Sequence, residues 1–87
     1  MIRPTLDNNG TDAFDLIQPR RDAMALINEV IETLKQVTPN GRDYLCQRDR
    51  FIADRETHFD RLAALHTLRN DLFEEALHIQ QQERAAA

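Results

Sequence analysis

Apolar residues recur at three- and four-residue steps over two stretches of the chain. In the first, Ala23, Leu26, Ile27, Val30, Ile31, Leu34 and Val37 form one stripe, and Asp22, Asn28, Glu29, Glu32, Thr33 and Gln36 fall elsewhere on the helical wheel. That spacing predicts an amphipathic helix. Pro19 opens it, since its fixed φ suits a first helical position. Thr38-Pro39-Asn40-Gly41 closes it, because Pro39 cannot continue a helix and Gly41 permits φ > 0. In the second stretch the apolar positions are Leu45, Ile52, Phe59, Leu62, Leu65, Leu68, Leu72, Phe73, Ala76, Leu77 and Ile79, in a run without Gly or Pro to about Glu83. The predicted start lies between Asp43 and Asp49, and either aspartate could cap it. These positions fill an arc wider than the ~100° stripe that one neighbouring helix needs.

Ahead of the helices, residues 1–10 read as a flexible N-terminal arm, with Pro4, Asn8, Asn9 and Gly10 opposing regular structure. Thr11 offers a cap for a short helical segment, Asp12 to Gln18, in which Phe14, Leu16 and Ile17 give something to bury. Residues 11–84 then make one helical hairpin domain, and 85–87 a frayed C-terminus.

Lengths carry the reading further. A first helix of about 19 residues reaches roughly 28 Å and a second of about 35 reaches roughly 52 Å. The short turn makes the two antiparallel. Roughly 20 Å of the second helix is then left without a neighbour. The expectation puts that excess in its C-terminal part, so Leu68, Leu72, Phe73, Ala76 and Ile79 are candidate oligomer-interface residues. The expected fold class is all-α: an antiparallel two-helix hairpin with a short N-terminal helical segment, dimerising into a four-helix bundle.

Composition agrees with this outline and narrows the functions. A chain of 87 residues buries a thin core, which a partner subunit would thicken. Two Gly and three Pro are too few for the turns of a sandwich or barrel. The net charge of -4 disfavours non-specific nucleic-acid binding. Cys46 is alone, which excludes an intrachain disulfide and a thiolate metal cluster. No apolar run is long enough to span a membrane and no signal-peptide core is present, so the expected location is the bacterial or infected-host cytoplasm.

The second helix carries an unusual basic column. Arg48, Arg55 and Arg69 share a heptad position with Leu62 and Ala76, and His58 and His66 flank it. Isolated guanidinium groups are costly to bury, so these side chains need water, carboxylates or a ligand. Three readings stay open. Their stems pack while their heads reach solvent. They pair with acids on the first helix or on a partner subunit. Or they line a site for an anionic small molecule such as a nucleotide. Arg48, Arg55, His58, His66 and Arg69 are therefore candidates for partner or anion binding.

Metal and covalent chemistry find little footing. Glu75-Ala-Leu-His78 has the i, i+3 spacing of di-iron bundles, and Glu29 and Glu32 could be its partners. The wheel sets all four on polar faces, whereas such ligands point inward. Asp54 and His58, one turn apart, are a weaker pair. No histidine is tied to Cys46 by spacing, and no phosphate loop or nucleophile elbow is present. Neither catalytic residues, metal nor cofactor are expected, and the chain is not expected to be an enzyme. Two long antiparallel helices also do not suit a helix-turn-helix reader of DNA.

Pro39-Asn40-Gly41-Arg42-Asp43-Tyr44 stands between an aliphatic helix and an Arg/His-rich one. That arrangement resembles small uncharacterised proteins of bacteriophages and prophages in proteobacteria. In these a similar "NGRDY" turn joins two helices, and the second carries the pattern His58, Arg61-Leu62, Leu65, Leu72, Ala76. The likeness covers about residues 20 to 80. It implies a setting in which small acidic proteins bind one host component, such as defence or replication machinery. Arg42, Asp43 and Tyr44 form a candidate recognition tip, since Arg and Tyr are favoured at binding hot spots. The structural alternative is that Asp43 caps the second helix and Tyr44 packs across the hairpin end. The leading expectation is a non-enzymatic interaction protein, a homodimer that binds a further protein. An anion-binding module and a virion structural or assembly protein are the alternatives.

Overall fold

The computed structural model describes residues 12–86. The N-terminal arm of residues 1–10, and Thr11 as a cap, lie outside the described residues. Two helices pack antiparallel: α1, Ala13–Lys35, and α2, Arg48–Ala86, joined through a 3-10 turn, Gly41–Tyr44.

Helix α1 starts six residues before Pro19, so the separate N-terminal segment expected from the sequence is its first turns. Asp12 caps it, accepting from the Phe14 amide at 3.2 Å, and Asp15 in the first turn and Lys35 in the last suit the helix dipole. Pro19 stands inside the helix on an exposed surface. Its missing N–H leaves the Asp15 carbonyl without its usual donor. The next carbonyl, that of Leu16, accepts from Arg20 Nη1 at 2.8 Å. The Arg20 side chain thus props the backbone where the proline weakens it, and the helix runs on.

The link is longer and more structured than a tight turn. Thr38 donates its hydroxyl to the Lys35 carbonyl at 2.7 Å, and the Val37 amide donates to Leu34 at 3.0 Å, closing α1. Asn40 caps the 3-10 turn by accepting from the Arg42 amide at 2.9 Å. Gly41 does not supply the positive φ expected of it; Cys46 does, at φ 60°. A non-glycine residue in this left-handed region costs on the order of 1 kcal/mol. Helix α2 opens at Arg48, with Asp49 already in its first turn, so neither Asp43 nor Asp49 is its cap. It runs through Ala86, past the end expected near Glu83.

Cross-helix pairs give the register. Arg20 meets Glu75, Asn28 meets Arg69, and Thr38 meets His58. The start of α1 therefore reaches the level of the last turns of α2. At 1.5 Å per residue, α1 is roughly 34 Å long and α2 roughly 58 Å. The excess lies at the N-terminal end of α2, about residues 48–60, which run beside the link and beyond α1. This corrects the expectation of a bare C-terminal part. The early start of α1 covers that part, and the long link displaces the start of α2.

The result is a rod of 63 × 19 × 16 Å with a radius of gyration of 19.0 Å, against roughly 12 Å for a compact chain of this length. Among the described residues the buried apolar side chains are Ala13, Ile31 and Ile79.

Candidate functional site: an uncovered side of helix α2

Two heptad columns run along α2. His58, Leu65, Leu72 and Ile79 face α1, with His58 and Ile79 buried and Leu65 and Leu72 half-buried. The second column is Ile52, Phe59, His66, Phe73 and Gln80, also seven residues apart, and all five are exposed. Ile52, Phe59 and Phe73 are 42%, 46% and 54% exposed, and Leu77, one turn beyond Phe73, is 40% exposed. A 3.5-residue period is the spacing at which one side of a helix keeps facing a supercoiled neighbour. α2 thus has two such sides, and its own chain covers one.

At the open end of the hairpin the uncovered side merges into a groove of about 410 Å³. Ile17, Arg21 and Met24 of α1 form one wall, and Phe73, Ala76 and Leu77 of α2 the other. At the turn end the same side of α2 stands clear of α1. There the Arg55 guanidinium sits 5.5 Å from the centre of the Phe59 ring, a cation–π contact. A separate shallow apolar surface lies on α1 at Leu26, Val30 and Leu34, with Leu26 61% exposed.

The structure disperses the basic column. Arg48 is exposed near the start of α2, and Arg55 lies on Phe59. Arg69 is half-buried; its Nη1 donates to Asn28 Oδ1 and its Nη2 to His66 Nδ1 at 2.9 Å. His58 is buried, bonded through Nε2 to the Thr38 hydroxyl at 3.0 Å, with its ring edge-on to Phe59 at 5.6 Å. These groups are spread along α2 and occupied with different neighbours, so they do not converge on one point.

Of the recognition-tip residues, Arg42 and Asp43 are exposed and Tyr44 is turned onto α2. Its ring lies 5.4 Å from that of Phe51, and its hydroxyl donates to Asp54 Oδ2 at 2.8 Å. That bond, with the negative charges of Asp54 and Asp43, pushes the Tyr44 hydroxyl pKa above its ordinary value of 10.0. Tyr44 packs as the structural alternative held, but Asp43 does not cap α2.

Of the oligomer-interface residues, Leu68 and Phe73 are exposed, Leu72 and Ala76 are half-buried, and Ile79 is wholly buried inside the hairpin. Phe73 and Leu68 lie roughly 140° apart around α2, so one flat surface cannot use both equally.

Glu75 is a further correction. It is not on the polar face but buried in the seam, where Oε1 accepts from Arg20 Nε at 3.1 Å and Oε2 has no hydrogen-bond partner. Glu75 stands three residues after Leu72 and four before Ile79, so it shares the side of α2 that faces α1. His78 bonds to Gln82 at 2.7 Å. Among the described residues no group of three His, Cys, Asp or Glu side chains could hold a metal ion. No described helix is long and apolar enough to cross a membrane.

Sequence reasoning missed Ile52 and Phe59 as a surface, and Ile17, Arg21 and Met24 as a groove wall. The seven-residue spacing from Ile52 to Gln80 was a readable signal for the first set. The second depended on where α1 begins. No protein-family model, curated protein or solved structure matches the chain.

Proposed function

We propose that this chain is a non-enzymatic helical interaction protein that works by having its uncovered apolar side occupied by protein. The observation that carries this reading is the exposed column Ile52, Phe59 and Phe73, with Leu77 beside it, on a rod that hides three apolar side chains among those described. Singly exposed apolar residues are ordinary on protein surfaces, but a column of them at heptad spacing is the pattern of a helix–helix interface. The proposal includes self-association into a bundle and binding of a further protein. Given the resemblance to small phage and prophage proteins, that further protein is a host component in the bacterial cytoplasm. The dispersal of Arg48, Arg55 and Arg69 gives no support to an anion-binding module.

The test is recovery of tagged protein from phage-infected cells, comparing the native chain with Phe73→Arg and Leu26→Arg. A stoichiometric co-purifying protein lost with either substitution, while helical circular dichroism is retained, is the expected result. Recovery of the same proteins with all three chains would overturn the reading.

A further inference from the structure

We infer that the occupant of the uncovered side of α2 is a second copy of this chain, docked antiparallel with its two-fold axis passing His66. The inference rests on the interaction reading above and names its first partner.

The argument begins with the spacing of the exposed column. Phe59 and Phe73 lie seven residues to either side of His66, and Ile52 and Gln80 fourteen residues to either side. A two-fold interface requires that if one residue meets another across it, the reverse contact is made as well. Antiparallel docking centred on His66 meets this condition along the whole column. Phe59 of each copy comes against Phe73 of the other, and Ile52 against Gln80. Aromatic pairs of this kind add to the area they bury.

The shape of the hairpin supports the same axis independently. The apolar groove at the open end centres near Ala76, and the stretch of α2 that outruns α1 centres near residue 55. These centres are about equally far from His66, in opposite directions. In the docked pair, the overhang of each copy lies along the groove of the other, with Ile52 and Phe59 entering between Ile17, Met24, Phe73 and Leu77. The overhang fits because α1 does not accompany it. Tyr44 and the link touch α2 there at Phe51 and Asp54, away from Ile52 and Phe59.

The areas agree. Phe59 and Phe73, at 46% and 54% exposure, together offer about one whole aromatic side chain, roughly 150–250 Å² of apolar surface per copy, and Ile52 and Leu77, at 42% and 40%, add to it. With Ile17, Met24 and Ala76 of the groove alongside, this approaches the apolar share of the ~800 Å² per partner that a stable interface buries. Such a dimer covers the second heptad side of α2 and leaves Leu26 and Val30 of α1 free for another protein.

Sedimentation equilibrium of the full chain at tens of micromolar should give twice the 10.1 kDa chain mass. Phe73→Arg should weaken dimerisation by about 100-fold or more, since the residue is used twice. Leu68→Arg, on the other flank, should change it less than about threefold. Orientation is read by oxidation in a Cys46→Ser background. Chains with Phe59→Cys mixed with chains with Phe73→Cys should cross-link to each other, and neither should cross-link with itself. Self-linking of Phe59→Cys would show a parallel pair and overturn the inference, as would equal loss with Leu68→Arg. A monomer at these concentrations would also overturn it. In that case the interaction reading stands if Phe73→Arg or Leu26→Arg still loses a protein from infected cells, and fails if neither does.

Discussion

At its open end the hairpin hides Ala13 and Ile79 and pairs Arg20 with Glu75. At its turn end it hides Ile31 and His58, the latter bonded to Thr38, and Tyr44 is bonded to Asp54. The open end has no nearby covalent link to hold the helices together, so apolar burial and a charge pair must do so. At the turn end the chain itself keeps the helices close, so the burial of Ile31 and the hydrogen bonds there act on helices already held together. The difference teaches where this fold is vulnerable: at the open end no link limits how far the helices part once a contact is lost.

The largest expected effect is at the open end. Ile79→Ala should lower stability by about 3 kcal/mol, the cost of a cavity at a side chain with no exposure. Urea unfolding at one fixed protein concentration measures it, since self-association would add a concentration-dependent share. A loss under about 1 kcal/mol would show that the open end is not where the hairpin is held. Next comes the charge pair. Arg20→Met should cost about 2 kcal/mol, because it leaves Glu75 buried and alone and also frees the Leu16 carbonyl. The figure sits below that of a fully buried pair because the Arg20 side chain keeps 22% exposure. Glu75→Leu should be near neutral, since it removes the unpartnered Oε2 and leaves Arg20 its carbonyl. Equal costs for the two substitutions would contradict that asymmetry.

The turn end should respond more mildly. Thr38→Val should cost about 1.5 kcal/mol, since it removes both the hydroxyl's bond to the Lys35 carbonyl and its bond to the buried His58 ring. Smallest is the Tyr44–Asp54 bond, which is exposed and best read by titration. Tyr44 is the single tyrosine and there is no tryptophan, so ultraviolet absorbance follows it cleanly. Its midpoint should lie above 10.0 and fall back toward that value in Asp54→Asn. The folded value is raised, so the bond's stabilisation is present below the unfolded value. It is lost as pH climbs through the folded one. An unchanged midpoint in Asp54→Asn would remove the bond from the account.

Much of the local architecture was readable in the residues. The stripe from Ala23 to Leu34 and the long run without Gly or Pro after Arg48 gave both helices, and Pro39 gave the break. Element ends were harder. Pro19 read as a start because a proline is favoured at a first turn, yet here it stands inside the helix, where it leaves the Asp15 carbonyl without a donor while Arg20 adds a side-chain bond to the neighbouring Leu16 carbonyl. Gly41 read as the left-handed residue, yet Cys46, two residues before α2, holds that conformation. The surface was half legible. Phe73 and Leu68 stood out as uncovered apolar residues, while Ile52 and Phe59 were hidden in a list of positions too broad for one stripe.

Sequence alone determined that the chain is helical, that it folds back once near Pro39, and that the second helix has more apolar surface than one neighbour covers. These follow from periodicity and local backbone chemistry, which act within a few residues. Register, and with it the location of the uncovered surface, was decided by the tertiary structure. Starting α1 at Ala13 and lengthening the link moved the bare end of α2 from its C-terminus to its N-terminus, withdrew Ile79 into the core and turned Glu75 inward. Such choices depend on how two helices slide past each other until Arg20, Asn28 and Thr38 find Glu75, Arg69 and His58, and no window of sequence contains both halves of those pairs.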